Sequence, residues 1–119
     1  DSSVWIEILR QGPLARRCER ERLNASEIIV PTIVVFEVYR KILKTVSEDF
    51  ALSAVALLTQ HGEAPLTTEV SLLAGDLSLQ HRLGMADALV LAHALHQDST
   101  LITLDHDFKG IHGARLLQS

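Results

Sequence analysis

The segment Thr100-Leu101-Ile102-Thr103-Leu104, followed at once by Asp105-His106-Asp107, indicates the fold. Its residues are apolar or β-branched and the turn-forming pair Asp98-Ser99 precedes them, so they predict a short buried strand. Two further runs predict strands, Glu27-Ile28-Ile29-Val30 and Ala114-Arg115-Leu116-Leu117. Short apolar strands separated by helices are typical of an α/β fold, in which helices cover both faces of a mostly parallel sheet and form three layers.

Helical patterns fill most of the chain between these strands. Gly12-Pro13 and Gly84 are predicted breaks between helices. The predicted helices are Val4 to Arg10, Leu14 to Leu23, Ile33 to Val46, Ser47 to His61, Thr67 to Leu83 and Ala86 to Gln97.

Length and composition predict one globular domain spanning residues 1–119, with 47% apolar residues available for a core. The single cysteine, Cys18, cannot form an internal disulfide, which favours a reducing, cytoplasmic location. No apolar run approaches the ~18 residues that a membrane span needs. The net charge of −4 argues against a polycation that coats nucleic acid.

Asp1 leads directly into a helical pattern, so we expect a first strand upstream of Asp1 to be absent from this chain.

Acidic residues follow the predicted strands. Asp105 and Asp107 come directly after one strand, and Glu37 lies in the first turns of the helix after another. Asp87 begins the helix that follows Gly84, and Asp1 would follow the absent strand. Ligands bind beyond the carboxyl ends of parallel strands, so these acids are expected to converge there. Crowded carboxylates repel one another, and a hard divalent cation such as Mg²⁺ or Mn²⁺ would relieve that repulsion.

Each acid also has a purely structural interpretation. Asp87 could be a helix N-cap, although its helix face carries apolar residues. Glu37 could form ordinary surface pairs with Arg40 and Lys41, three and four residues later. Asp105 could serve only in a turn. These alternatives remain open from the residues alone.

Asp1 has a comparable alternative as a helix cap, and Asp107 is expected to be structural. Lys44, with Arg40 and Lys41, shares the face of Glu37, so these cations either contact RNA phosphates or are simply solvated. His93 and His96 point away from the face of Asp87 and are expected on a solvated helix surface.

Four blocks of the sequence together resemble PIN-domain ribonucleases, particularly VapC-type toxins of toxin–antitoxin pairs. The blocks are Asp1-Ser2-Ser3-Val4-Trp5-Ile6, Val35-Phe36-Glu37-Val38-Tyr39-Arg40, Ala86-Asp87-Ala88-Leu89-Val90-Leu91-Ala92 and Leu101-Ile102-Thr103-Leu104-Asp105-His106-Asp107-Phe108. They occur in family order and span nearly the whole chain.

This resemblance implies a Mg²⁺- or Mn²⁺-dependent endoribonuclease that is the toxin of a type II pair. It implies that the catalytic and metal-binding acids are Asp1, Glu37, Asp87 and Asp105, and that Thr103 and Ser3 support them through hydroxyl hydrogen bonds. It further implies an RNA substrate, a cognate antitoxin and a homodimer. No membrane association is expected, because no apolar run is long enough to span a membrane.

Two other classes of function share features with this sequence. A phospho-acceptor receiver domain has similar length, topology and acidity, but receivers resemble one another in a lysine directly before a proline, and none of Lys41, Lys44 and Lys109 precedes one. A catalytically inactive PIN-like binding module would keep the fold without the chemistry, and the presence of all four acids argues against it.

Overall fold

A computed structural model describes residues 1–118, so Ser119, the last residue of the predicted domain, lies outside the described residues. Helices and short strands follow one another along the chain as in an α/β protein. The helices are α1 (Ser2–Leu9), α2 (Ala15–Asn24), α3 (Thr32–Thr45), α4 (Glu48–Leu58), α5 (Thr68–His81) and α6 (Met85–His96). The strands are β1 (Ile29–Pro31), β2 (Gly62–Ala64), β3 (Leu101–Thr103) and β4 (Ala114–Leu116), with a short 3₁₀ turn at His106–Phe108.

All the strand pairs that the described residues form are parallel. Strand β1 pairs with β2, with Val30 opposite Glu63. Strand β3 pairs with β4, with Ile102 opposite Arg115. The predicted α/β class with parallel strands is therefore confirmed, and the sheet consists of two separate two-stranded pieces.

The sequence pattern did not predict strand β2. The predicted helix ran from Ser47 to His61, whereas α4 ends at Leu58 and the chain then forms Gly62–Ala64. Of these three residues only Ala64 is buried, so no apolar alternation marks the strand. Pairing with β1, a contact distant in sequence, imposes the extended conformation.

Helix α6 is the most deeply buried helix. Every residue from Ala88 to His93 is buried, because α6 packs against α5, α3 and β3. The expectation that His93 lies on a solvated surface is wrong, since only 3% of it is exposed. The middle of this helix is covered on several sides and has no solvated position for this side chain to occupy. His96, one turn later, is exposed as expected and lies 3.4 Å from a carboxylate oxygen of Glu69.

Helix α3 has one buried face and one exposed face. Val34, Val38 and Ile42 are fully buried at a spacing of four residues, which places them on a single stripe. Phe36 and Arg40 lie in the same helix and are exposed. The buried stripe packs against α4 and α1 and fixes the start of α3, where Glu37 lies, relative to the strand ends.

None of the helices within residues 1–118 combines the length and the apolar character needed to span a membrane.

Leu91→Ala tests the central role of α6. Leu91 is fully buried, and truncation of a buried leucine costs about 2–5 kcal/mol through lost burial and a residual cavity. We expect a loss of that size in the free energy of unfolding, measured by urea titration followed by circular dichroism. Leu79→Ala is the matched control, because Leu79 is 87% exposed in α5 and should change stability by no more than about 0.5 kcal/mol. Equal effects of the two substitutions would contradict this account of the core.

Candidate functional site

The carboxyl end of β3 carries two aspartates held by a tight turn. The Asp105 carboxylate accepts a hydrogen bond of 2.9 Å from the Asp107 backbone N–H and so caps the 3₁₀ turn. This turn aims both side chains toward the beginning of α6. Asp105 therefore stabilises a turn, which is its structural interpretation. The same turn also places Asp105 close to another acidic residue.

Asp87 lies in the first turn of α6 but is not its cap. The N-cap residue is Gly84, and no side chain caps this helix. The N-cap interpretation of Asp87 is therefore wrong. The neighbouring residues Ala88, Val90 and Leu91 are buried in the core, and they hold the Asp87 carboxylate at the rim of the sheet.

Asp87, Asp105 and Asp107 form a compact group. Each offers a carboxylate oxygen, and the three oxygens lie within 4.8 Å of one another. We refer to these three residues as the acidic triad. Asp107, which was expected to be structural, thus lies in the same cluster as Asp105. The Asp-x-Asp spacing after a strand was the available signal, but only the turn shows that both side chains face the same way.

Asp1 is held at the same edge by two hydroxyl groups. Ser3 Oγ donates to Asp1 Oδ1 at 2.5 Å, and Thr103 Oγ1 donates to Asp1 Oδ2 at 2.7 Å. Thr103 Oγ1 also accepts a hydrogen bond of 3.0 Å from the Asp105 backbone N–H, and Ser3 Oγ accepts one of 3.0 Å from that of Leu104. The two hydroxyls therefore connect the start of α1 to the end of β3.

The amino group of Asp1 is also buried in this region. It donates to the carbonyl oxygen of Ile102 at 2.8 Å. Burial lowers its pKa to about 5, although the negative charge of Glu37 opposes that shift.

Glu37 experiences the negative charge of Asp87. Burial raises the pKa of its carboxyl group, and the nearby charge of Asp87 adds to the increase. The nearby Ser2 hydroxyl acts in the opposite direction. Nothing in the sequence indicated this contact between Ser2 and Glu37, because it joins residues far apart in the chain.

The pKa of Asp87 is raised as well. Burial is the main cause, and the charges of Asp105 and Asp107 add to it. Bringing these carboxylates together without a counter-charge is thus unfavourable at neutral pH.

Of the four acids that the family resemblance implied, two belong to the acidic triad and two lie outside it. Asp87 and Asp105 belong to the triad, and Glu37 is electrostatically coupled to Asp87. Asp1 is linked to Asp105 through the Thr103 hydroxyl. Among residues 1–118, the group of close oxygen donors includes neither Asp1 nor Glu37.

The cations that follow Glu37 in α3 are on the surface. Arg40, Lys41 and Lys44 are exposed on α3, and none of them forms an ion pair within the described part of the chain. His106, between the two aspartates of the turn, is exposed too.

The acidic triad fits a hard divalent cation. Its donors are all carboxylate oxygens, the type that Mg²⁺ and Mn²⁺ prefer over the nitrogen and sulfur donors typical of zinc. The pKa of Asp87 is raised mainly by burial and further by the charges of Asp105 and Asp107, and such a cation would offset both causes.

Asp87→Asn is expected to stabilise the metal-free protein at neutral pH. A carboxyl group whose pKa is raised on folding binds more protons in the folded state, so stability falls as pH rises from the group's ordinary pKa range through its raised value. The substitution removes the ionisable group and with it this pH-dependent loss of stability. In EDTA, chemical denaturation should show the variant more stable than the parent at pH 7, with the difference shrinking near pH 3. Asp76→Asn, at an exposed position of α5, should give no such pH-dependent gain. A loss of stability for Asp87→Asn at pH 7 would contradict the electrostatic description.

Solved structures with the same fold come from toxin–antitoxin systems. A chain of a toxin–antitoxin complex from Klebsiella pneumoniae superimposes with a TM-score of 0.80 and 22% identity, covering 97% of this chain and 92% of that one. A chain of VapBC2 from Rickettsia felis, bound to a DNA fragment from their promoter, gives a TM-score of 0.76 and 18% identity over 98% and 94% of the two chains. DNA-bound VapBC from Salmonella typhimurium gives 0.75 and 19% over 98% and 93%. At these identities the likeness demonstrates a common fold.

Comparison with curated protein sequences gave no significant match. The family model of the PIN domain matches residues 1–113, which is nearly the entire chain. The resemblance inferred from the four sequence blocks is thereby confirmed, and the chain belongs to the PIN domain family.

Proposed function

We propose that this protein is a metal-dependent endoribonuclease and the toxin of a type II toxin–antitoxin pair. The observation that carries the proposal is the acidic triad, three carboxylates gathered at the carboxyl edge of a parallel sheet. Membership of the PIN domain family and a fold shared with chains of toxin–antitoxin complexes support it.

The triad, with Glu37 and Asp1 beside it, would hold Mg²⁺ or Mn²⁺. When bound, the cation supplies positive charge for the phosphodiester and promotes ionisation of a water molecule. Asp87, Asp105 and Asp107 provide the oxygen ligands. Glu37, whose raised pKa makes it a better proton acceptor than an ordinary carboxylate, would receive a proton from the attacking water.

Thr103 would act as a positioning residue. It is fully buried, and its hydroxyl both orients Asp1 and fixes the backbone at Asp105. Exposed Arg40, Lys41 and Lys44 on α3 are proposed to contact the RNA backbone, since phosphate contacts position a nucleic acid on its protein.

The proposed partners are an antitoxin and a second copy of the chain. A segment of the antitoxin would cover the acidic edge and so keep substrate from it. This function would be exercised in the cytoplasm, where RNA is encountered.

Asp87→Asn is expected to abolish RNA cleavage while the protein stays folded. Loss of an outer-shell partner of a metal site already costs about 10–100-fold, so removing a ligand should cost at least about 100-fold in rate. The measurement is cleavage of a labelled RNA pool in Mg²⁺ or Mn²⁺, with circular dichroism as the folding check. Asp76→Asn is the control of identical chemistry outside the cluster and should cleave like the parent.

EDTA should stop cleavage, and added Mn²⁺ or Mg²⁺ should restore it. Undiminished cleavage in EDTA would overturn the metal-dependent mechanism. Calorimetric titration with Mn²⁺ distinguishes the proposed nuclease from an inactive binding module. A module without a metal site would show no heat of binding.

Thr103→Val removes the hydroxyl while keeping the shape of the side chain. It leaves the Asp105 N–H and the Asp1 carboxylate each without one partner, which should cost about 1–3 kcal/mol of stability. Metal affinity should fall about 10–100-fold, as for an outer-shell partner. Thr103→Ser keeps the hydroxyl and should restore most of the affinity. If valine and serine weakened the metal equally, the hydroxyl would have no positioning role.

A further inference from the structure

Arg82, in the loop between α5 and α6, has a backbone conformation that favours glycine. Its φ is 57° and its ψ is 42°, in the left-handed region, where the Cβ of an ordinary residue crowds the backbone. Two residues later stands Gly84, whose φ of −67° any residue adopts. A Cβ added to Gly84 would meet no atom within 4 Å apart from its chain neighbours. The loop therefore has its glycine where the backbone does not need one and an arginine where a glycine would relieve strain.

The contacts of Leu83 hold this loop in place. Leu83 is buried, its N–H donates to the Ser78 carbonyl oxygen at 3.2 Å, and its own carbonyl oxygen accepts from the Ser78 hydroxyl at 2.7 Å. The strained conformation of Arg82 persists because these contacts over-determine it. The Arg82 side chain is exposed and forms no ion pair within residues 1–118. Its charge is therefore available to a ligand.

Among the strained residues, Arg82 alone lies beside the acidic triad. Residues 1–118 contain three non-glycine residues with positive φ, and the other two, Gln11 and Asp98, follow the last turns of α1 and α6. Arg82 lies instead at the beginning of α6, the helix whose first turn carries Asp87. A strained residue next to a functional site, whose side chain takes no part in packing, points to a role of that side chain in binding.

The chemistry of the guanidinium indicates what Arg82 binds. Its planar fork of N–H donors matches the oxygens of a phosphate group. An RNA strand whose scissile phosphodiester lies at the triad carries further phosphates on either side of it, and contacts to such phosphates fix the register of a nucleic acid on its protein. A cation that stands beside the carboxylates without pairing with them can therefore hold a neighbouring phosphate.

We propose that Arg82 binds a backbone phosphate of the RNA next to the scissile one and so holds the strand over the triad. This inference rests on the proposed function, because it takes RNA as the substrate. It adds a contact at the start of α6 to those proposed on α3. The left-handed backbone at Arg82 lowers the stability of the fold, and the cation that it places beside Asp87 serves substrate binding.

The test compares Arg82→Gln with Arg82→Gly. Both remove the charge, but only glycine also relieves the backbone. Both should weaken binding of a labelled single-stranded RNA about tenfold and reduce the slope of log affinity against log salt concentration by about 0.7, as loss of one phosphate contact does. Only Arg82→Gly should raise Tm, by about 3 °C. Fluorescence anisotropy in the Asp87→Asn background with Mg²⁺ measures binding while the RNA stays intact.

Arg10 and Gln11 provide matched controls. Both are exposed and follow α1, which begins at Asp1 and is roughly 12 Å long. Arg10→Gln removes the same charge at a distance where salt screens it, and RNA affinity should stay within about twofold. Gln11→Gly relieves a φ of 53° and should raise Tm as Arg82→Gly does, with no change in RNA affinity.

The outcomes distinguish this inference from the proposed function. Unchanged affinity in Arg82→Gln would overturn the inference even if Arg82→Gly bound more weakly, because mobility of the loop and not the charge would then explain the loss. Absence of RNA binding in the Asp87→Asn background would overturn it too. RNA binding that depends on Arg82, together with no RNA cleavage by the parent, would support the inference and overturn the proposed nuclease activity.

Discussion

The hydroxyl group of Thr103 is the contact that joins the two ends of the molecule. It donates to the carboxylate of Asp1 and accepts from the backbone of Asp105, so one buried atom connects residue 1 to a turn more than a hundred residues later. The hydrogen bonds are short and shielded from water, which makes their loss costly. Together with the Ser3 hydroxyl and the Asp1 nitrogen, which bond to Leu104 and Ile102, this contact fixes the relation between α1, β3 and the acidic triad.

Apolar burial provides the stability that such a site requires. Burial and crowding of carboxylates destabilise the fold at neutral pH, as the raised pKa values of Glu37 and Asp87 indicate. Helix α6 offsets that cost, because residues Ala88 to His93 are buried immediately after Asp87. The same helix therefore supplies both a ligand for the proposed cation and the packing that keeps it in place. The position of Asp87, between a glycine break and an apolar run, combines these two requirements.

Local sequence patterns predicted those helices and strands whose own residues show apolar periodicity or an apolar run. The stripe of Val34, Val38 and Ile42 marks α3, and the apolar run at Leu101 marks β3. Strand β2 has no such pattern, because it is short and only Ala64 is buried. Burial of His93 could not be predicted either, since it depends on how many neighbours cover α6. Asp107 was expected to be structural, and only the turn at the end of β3 shows that it faces Asp87.

The sequence by itself determined the α/β class, the helices, the order of the acidic residues and the family. These properties follow from side-chain periodicity and from motifs, both of which are local. The tertiary structure alone decided which carboxylates approach one another and how Ser3 and Thr103 hold Asp1. Distances between residues far apart in the chain depend on the packing of whole helices and strands, and no local pattern contains that information.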